Sequence, residues 1–185
     1  MQAGCRGTLQ WSTGVGKTRA ALTAIKGFLT KNSNRKIVVI VPTEHLKIQW
    51  IQELSYYFLI NYVTVEIINS AIKLDDQIDF LILDECHRIP SDTFYAVFAK
   101  RQPKIVLGLS ATFSRLDGRH ALLDQFCPVC DVITIKEAIE NKWLSPYKEY
   151  KVIIEPDDIE EYRELNRQFN ESFAVFDFDF KLAMD

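Results

Sequence analysis

The sequence predicts an open α/β fold with a mainly parallel sheet and helices on both faces. Three observations predict it. Short, nearly continuous apolar runs rich in β-branched residues recur along the chain, helical patterns fill the intervals between them, and the length suits one compact domain. The chain has 185 residues, 48% hydrophobic and 25% charged, with seven Gly and six Pro. That composition excludes disordered and collagen-like chains.

The predicted strands occupy residues 7–11, 36–41, 62–68, 78–83, 104–109, 131–135 and 150–154. Runs such as Ile37 to Val41 carry apolar side chains at consecutive positions, so these strands are expected to be buried on both faces, with helical crossovers between parallel neighbours. Residues 17–30 read as a helix turning Ala20, Ala21, Ala24, Ile25 and Phe28 inward. Residues 45–58 read as a second, with Leu46, Trp50, Leu54 and Tyr57 at helical spacing. After Pro156, Asp157 is placed to cap a helix with Glu160 three residues on. In that helix Ile159, Tyr162, Asn166, Phe169, Phe173 and Phe176 form a largely apolar stripe. Phe178 and Phe180 follow without a closing turn signal, so the protein is expected to continue beyond Asp185. There is no internal repeat and no low-complexity tract.

Charge narrows the partners. Against 25 Asp and Glu stand 22 Lys and Arg, a net charge of −3, so no global positive field advertises a polyanion and any nucleic-acid contact must be local. The apolar runs are far shorter than the ~20 residues of a membrane span, and the N-terminus, with Gly4, Arg6 and Gly7, lacks a signal-peptide pattern. The expectation is a soluble, cytoplasmic protein with no membrane partner. Cys5, Cys86, Cys127 and Cys130 are too few and too irregular for a disulfide scaffold. Cys127-Pro128-Val129-Cys130 has the spacing of half a zinc site but lacks two further ligands, and the preferred reading is a buried, inert pair packed at a strand entry.

Three motifs fall at the ends of predicted strands. Ser12-Thr13-Gly14-Val15-Gly16-Lys17-Thr18 lies between a strand and a helix, the context of a phosphate-binding loop. There glycines let backbone N–H groups turn inward, the helix N-terminus adds positive potential, Lys17 reaches the β- and γ-phosphates, and the Thr18 hydroxyl can ligate Mg²⁺. The strict pattern would begin with Gly where this chain has Trp11. In Leu81-Ile82-Leu83-Asp84-Glu85-Cys86-His87 an apolar strand runs into two carboxylates. The carboxyl ends of parallel strands share one edge of the sheet, so Asp84 is placed to hold Mg²⁺ and Glu85 to orient or deprotonate the attacking water. Leu107-Gly108-Leu109-Ser110-Ala111-Thr112 ends a further strand, and the hydroxyls of Ser110 and Thr112 can bond the acidic motif and couple it to nucleotide state.

In this order the motifs resemble the first motor domain of the superfamily 2 helicases and translocases, the DEAD/DEAH-box class in its Asp-Glu-x-His form, over roughly residues 7 to 150. The resemblance implies a RecA-like P-loop NTPase domain that uses ATP and Mg²⁺. It adds a nucleic-acid contact: Val41-Pro42-Thr43-Glu44-His45-Leu46-Lys47-Ile48-Gln49-Trp50 is similar to the segment after the family's second strand, so Pro42 and Thr43 would touch backbone phosphate. The same residues read equally as a capped helix packing Leu46 and Trp50, and both readings can hold together. It also implies that His87 couples nucleotide state to nucleic-acid binding. Ser110 to Arg115, Asp117 to His120, Glu137-Ala138-Ile139 and Leu144-Ser145-Pro146-Tyr147 resemble phage and DNA-repair helicases and type III restriction motor subunits more than RNA helicases.

The expected organisation is therefore a first motor domain over residues 1–149, with residues 150–185 a linker and the start of an incomplete second domain. The expected function is an ATP-dependent motor on nucleic acid, DNA before RNA, with helicase activity as the leading reading. The alternatives are a double-strand DNA translocase subunit of a restriction or remodelling system, and a nucleotide-gated nucleic-acid-binding switch with little turnover. The family's second motor domain and its arginine fingers have no counterpart after Tyr150, so this chain is expected to bind ATP·Mg²⁺ weakly, hydrolyse it slowly and unwind nothing unaided. Gln2 stands too close to Lys17 to be assigned as the family's adenine-reading glutamine.

Overall fold

The structure is a computed structural model and describes residues 5–31, 35–71, 77–88, 97, 102–111, 126–148, 160 and 162–168. The chain divides into two compact units, Met1–Pro146 and Tyr147–Asp185. In the first, the strands are β1 (Arg6–Trp11), β2 (Ile37–Val41), β3 (Val63–Ile67), β4 (Phe80–Asp84), β5 (Ile105–Ser110) and β6 (Val129–Ile133). The helices are α1 (Lys17–Lys31), α2 (Glu44–Tyr56), α3 (Ile68–Ala71) and α4 (Ile135–Glu140), and short 3₁₀ turns occupy Ile60–Tyr62 and Cys86–Arg88. The second unit is helical at 160 and 162–168, where Arg167 and Glu164 pair at 2.7 Å. The strand expected at 150–154, and Ile159, Phe169, Phe173 and Phe176 of the expected stripe, lie outside the described residues. Among the described residues no helix is long and apolar enough to cross a membrane.

The six strands form one sheet in the order β3-β2-β4-β5-β1-β6, and every pairing is parallel. All carboxyl ends therefore emerge at one edge. β2 and β4 each have neighbours on both sides, and all five residues of each are buried. Alternate side chains feed two cores. Ile37, Val39 and Val41 pack with Ala21 and Ile25 of α1 and Trp50 and Leu54 of α2 on one face. Val38 and Ile40 pack with Leu81, Leu83, Ile68 of α3, Val97 and Cys127 on the other. Burial of these aliphatic side chains supplies roughly 1.5–3 kcal/mol each before chain entropy is counted.

Three details depart from the sequence reading. The inward stripe of α1 centres on Ala21, Leu22 and Ile25, which leaves Ala24 exposed on its flank. β6 ends at Ile133, before the expected 135, because the Thr134 side chain accepts from the Glu137 N–H at 3.1 Å and starts α4. Thr134-Ile135-Lys136-Glu137 is the pattern of a capping box, and it wins over the β-branched character of Ile135. Of the expected buried cysteine pair, only Cys127 is buried and Cys130 is exposed. β6 is an edge strand, so Cys130 has no outer neighbour to cover it. Cys127 accepts from the Thr8 hydroxyl at 3.3 Å, and burial raises its thiol above the ordinary range.

Candidate nucleotide site

The loop after β1 is built largely from its own backbone. Ser12 ties its entry to β6, its N–H and its hydroxyl each donating to the Ile133 carbonyl at 2.9 Å. Gly14 and Gly16 hold φ of +87° and +105°, values a side chain disfavours and glycine tolerates. The first turn of α1 closes with Ala20 N–H on the Gly16 carbonyl at 3.0 Å. The Lys17 ammonium folds back over the loop and donates to the Trp11 carbonyl at 2.8 Å. Burial pushes its pKa down, with Glu85 and then Asp84 opposing. Trp11, the departure from the strict loop pattern, serves the sheet: its indole donates to Asp131 on β6 at 2.7 Å.

The turn after β4 is built from side chains. Asp84 is buried, 7% exposed. Its Oδ2 accepts from the Trp50 indole at 2.7 Å and its Oδ1 from the Glu85 N–H at 3.0 Å. Burial raises the Asp84 pKa above the usual carboxylate range, with the Trp50 donor the chief opposing influence. Glu85 sits in the left-handed region at φ +46°, a conformation that costs a non-glycine residue about 1–2 kcal/mol. The Arg88 N–H donates to its carbonyl at 2.8 Å and closes the turn. Cys86, between the two functional candidates, is fully buried and its thiol is pushed up to about 12 by that burial. It stays protonated and is no nucleophile.

His87 occupies the turn Cys86–Arg88, where its Nδ1 lies 2.8 Å from the hydroxyl of Ser110 and 3.4 Å from the Glu85 carboxylate. One imidazole thus touches the end of β5 and the acidic motif. Thr112 lies outside the described residues.

The loop and the turn face one cleft of about 600 Å³, within the range of small-molecule sites. Thr13, Gly14, Gly16, Lys17 and Thr18 line it from one side, Asp84 and Glu85 from another, and α2 forms a wall with Leu46, Gln49, Trp50, Gln52 and Glu53. Val15 does not line the cleft; its N–H turns to the Ser12 carbonyl at 3.3 Å. Pro42 and Thr43 lie off it too, at the start of α2, where Thr43 caps the helix by accepting from Leu46 N–H at 3.4 Å. The α2 wall was absent from the sequence reading, which assigned Trp50 to the core. A buried indole N–H needs an acceptor, and that requirement was the available signal. The lining fits a nucleotide with its cation: an inward-turned loop at a helix N-terminus suits phosphate, and the Thr18 hydroxyl and Asp84 carboxylate are the oxygen donors that Mg²⁺ prefers.

Fold and cleft together point to an N-terminal motor domain of the superfamily 2 helicase type, with the candidate site at the carboxyl edge of its sheet. The family model for the type III restriction enzyme res subunit matches residues 2–71 and 56–115, and the chain belongs to that family. The African swine fever virus protein QP509L, provisionally named an ATP-dependent RNA helicase, is 34% identical over 140 residues, covering 62% of this chain and 26% of its own length. The DNA 3'-5' translocase XPB2 of Sulfurisphaera tokodaii is 27% identical over 165 residues, covering 80% of this chain and 36% of its own. This chain therefore spans well under half the length of either relative. Among solved structures, the UvsW helicase of bacteriophage T4 shares the fold at a TM-score of 0.57 and 19% identity, over 68% of this chain and 54% of that one.

Proposed function

We propose that this chain is the ATP-binding half of a nucleic-acid motor, a helicase or translocase acting on DNA, whose hydrolysis is completed by a second motor domain. The observation that carries the reading is the convergence of Lys17 and Thr18 from β1–α1 with Asp84 and Glu85 from β4 on one cleft. Residues 1–149 make up the first motor domain in this reading, and residues 150–185 lead toward the second.

The roles follow from the chemistry of each group. Backbone N–H groups of Thr13, Gly14, Gly16, Lys17 and Thr18, at the α1 N-terminus, hold the phosphate chain. Lys17 exchanges the Trp11 carbonyl for β- and γ-phosphate oxygens. Thr18 and Asp84 would hold Mg²⁺, which when bound offsets charge on the β- and γ-phosphates. Glu85 orients a water molecule and accepts its proton as the water oxygen attacks the γ-phosphorus and the bond to the β-phosphate oxygen breaks. The transition-state charge still requires a cationic clamp from the second motor domain, which makes the isolated chain a slow ATPase. His87, in contact with Ser110 and beside Glu85, would carry nucleotide state toward the end of β5, and Pro42 and Thr43 would meet backbone phosphate, a contact that positions without reading sequence.

A second reading is translocation on double-stranded DNA without strand separation; the relative named a DNA 3'-5' translocase supports translocation on DNA as such. The test is ATP hydrolysis with and without single- and double-stranded DNA and RNA, beside Glu85→Gln. Stimulation by one polymer, abolished in Glu85→Gln, supports the motor and names its track. Nucleotide binding that no polymer stimulates, even with the second motor domain restored, would replace it with a nucleotide-gated switch.

A further inference from the structure

Helix α2 is bonded to the acidic turn after β4 through the Trp50 indole. Trp50 is 2% exposed, and its ring belongs to the core cluster that includes Leu54, Val39 and Ile82. A ring held on that scale cannot swing to follow a moving partner. Its indole N–H nevertheless lies 2.7 Å from Asp84 Oδ2, a residue 34 positions away. An indole only donates, so that oxygen must present a lone pair to it. The second carboxylate oxygen is held by the Glu85 N–H. Two neutral donors from different elements thus fix the plane of one carboxylate and leave each oxygen a further lone pair directed elsewhere.

We infer that Trp50 is a positioning residue for the nucleotide-bound cation: its indole locks the Asp84 carboxylate in the orientation that ligates the ion, so the seating of α2 sets cation affinity. This rests on the proposed nucleotide site. It adds a residue to that site whose sequence context is that of an ordinary core tryptophan. Groups that orient metal ligands are worth about 10–100-fold in metal affinity, and the same range is expected here.

The experiment compares the chain with Trp50→Phe, which keeps an aromatic side chain and removes the N–H. The Mg²⁺ concentration for half-maximal binding of a fluorescent ATP analogue should rise about 10–100-fold, while binding of the same analogue in EDTA stays unchanged. Leu54→Ala controls for lost packing: Leu54 lies on the same helix, is fully buried and, being aliphatic, has no hydrogen bond to offer Asp84. It should lower the melting temperature without moving the Mg²⁺ midpoint. A metal-free readout comes from the indole ¹H–¹⁵N resonances of the three tryptophans. The resonance missing in Trp50→Phe should be the one that moves most in Asp84→Asn. Should Trp50→Phe fail to fold, 3-benzothienylalanine at position 50 removes the N–H at constant ring size. An unchanged Mg²⁺ midpoint in the variant, or an equal rise in Leu54→Ala, overturns the inference and leaves the nucleotide site standing. Absence of Mg²⁺-dependent binding in the unsubstituted chain overturns both.

Discussion

Strand β4 begins beside one aspartate and ends on another, and the two are held in opposite ways. Asp79, just before the strand, accepts from the Arg35 guanidinium at 2.8 Å and from the Lys36 N–H at 3.1 Å. Burial acts to raise its pKa, but Arg35 and Lys36 outweigh it and hold the carboxyl below its usual range. Its main chain is bonded to Lys36 at the start of β2 and to Ile105 at the start of β5, so Asp79 staples three strand starts together. Asp84 is more deeply buried and, among the described residues, is bonded only by neutral donors, the indole of Trp50 and the peptide of Glu85. Lys17 is the smallest of the influences on it. A carboxylate whose cation is built in is architecture. One that is buried with its charge left over costs stability, and a fold retains it where a cation arrives from outside. At β4 the amino end is closed by an ion pair, and the carboxyl end carries a carboxylate without one.

The largest expected effect breaks the chemistry while sparing the framework. Glu85→Gln keeps shape and loses the base, so hydrolysis should fall about 10²–10⁴-fold, roughly 3–5 kcal/mol in barrier. Nucleotide affinity should stay within a few-fold. Phosphate release and equilibrium binding of a fluorescent analogue measure the two halves, and a loss of binding equal to the loss of rate would place Glu85 in ground-state recognition.

The comparison of the two aspartates is sharpened by pH. Asp79 has a depressed folded pKa, so its stabilisation is present above the ordinary carboxylate pKa and is lost as pH falls through the folded value. Asp84 has a raised folded pKa, so the native state binds the proton more tightly than the unfolded chain. Its contribution is most favourable below the ordinary carboxylate pKa and declines as pH climbs through the raised one. Urea unfolding from about pH 3 to 7 should show the stability of the chain relative to Asp79→Asn rising with pH, and its stability relative to Asp84→Asn falling. Parallel trends would show that the two ends of β4 are not held differently.

A smaller effect separates the two turns at the carboxyl edge. Gly14 and Gly16 already carry the left-handed backbone of the phosphate loop, whereas the β4 turn puts Glu85 there. Glu85→Gly should therefore raise the stability of the nucleotide-free chain by about 1 kcal/mol while abolishing hydrolysis. Thermal unfolding checks it, and unchanged or lowered stability would mean that the contacts of the glutamate outweigh its backbone strain.

The phosphate loop was legible because its determinants are contiguous: two glycines, a lysine and a threonine between a strand and a helix specify the turn without reference to the rest of the chain. β2 and β4 were legible for the same reason, since Ile37–Val41 and Phe80–Leu83 are apolar at every position. What escaped was non-local or decided by competition. Trp50 looked like core because it is core, and only the fold brings Asp84 to its one polar atom. Cys130 looked buried beside Cys127 because spacing alone does not mark β6 as the sheet's edge. Ile133-Thr134-Ile135 looked like strand because β-branching is a stronger pattern than a single cap. The role of Val15 was read from the loop motif as a whole, where the structure turns its N–H back into the loop.

Thr43 and Thr134 offer the finest test, because they do the same local job at opposite prospects. Each is the threonine N-cap of a helix that follows a parallel strand, Thr43 with a long bond of 3.4 Å to Leu46 N–H and Thr134 with 3.1 Å to Glu137 N–H. Cap removal costs about 0.5–2 kcal/mol. Thr134→Ala should fall near the middle of that range and Thr43→Ala near its lower end. If Thr43 also meets a phosphate of the track, Thr43→Ala should weaken nucleic-acid binding several-fold with little loss of stability, and uniformly across sequences because phosphate contacts carry no base information. Thr134→Ala should do the reverse, losing more stability and no affinity. Fluorescence anisotropy with a labelled oligonucleotide, set beside urea unfolding, separates the two. Equal ranking of the caps in both measurements would leave Thr43 a cap and nothing more.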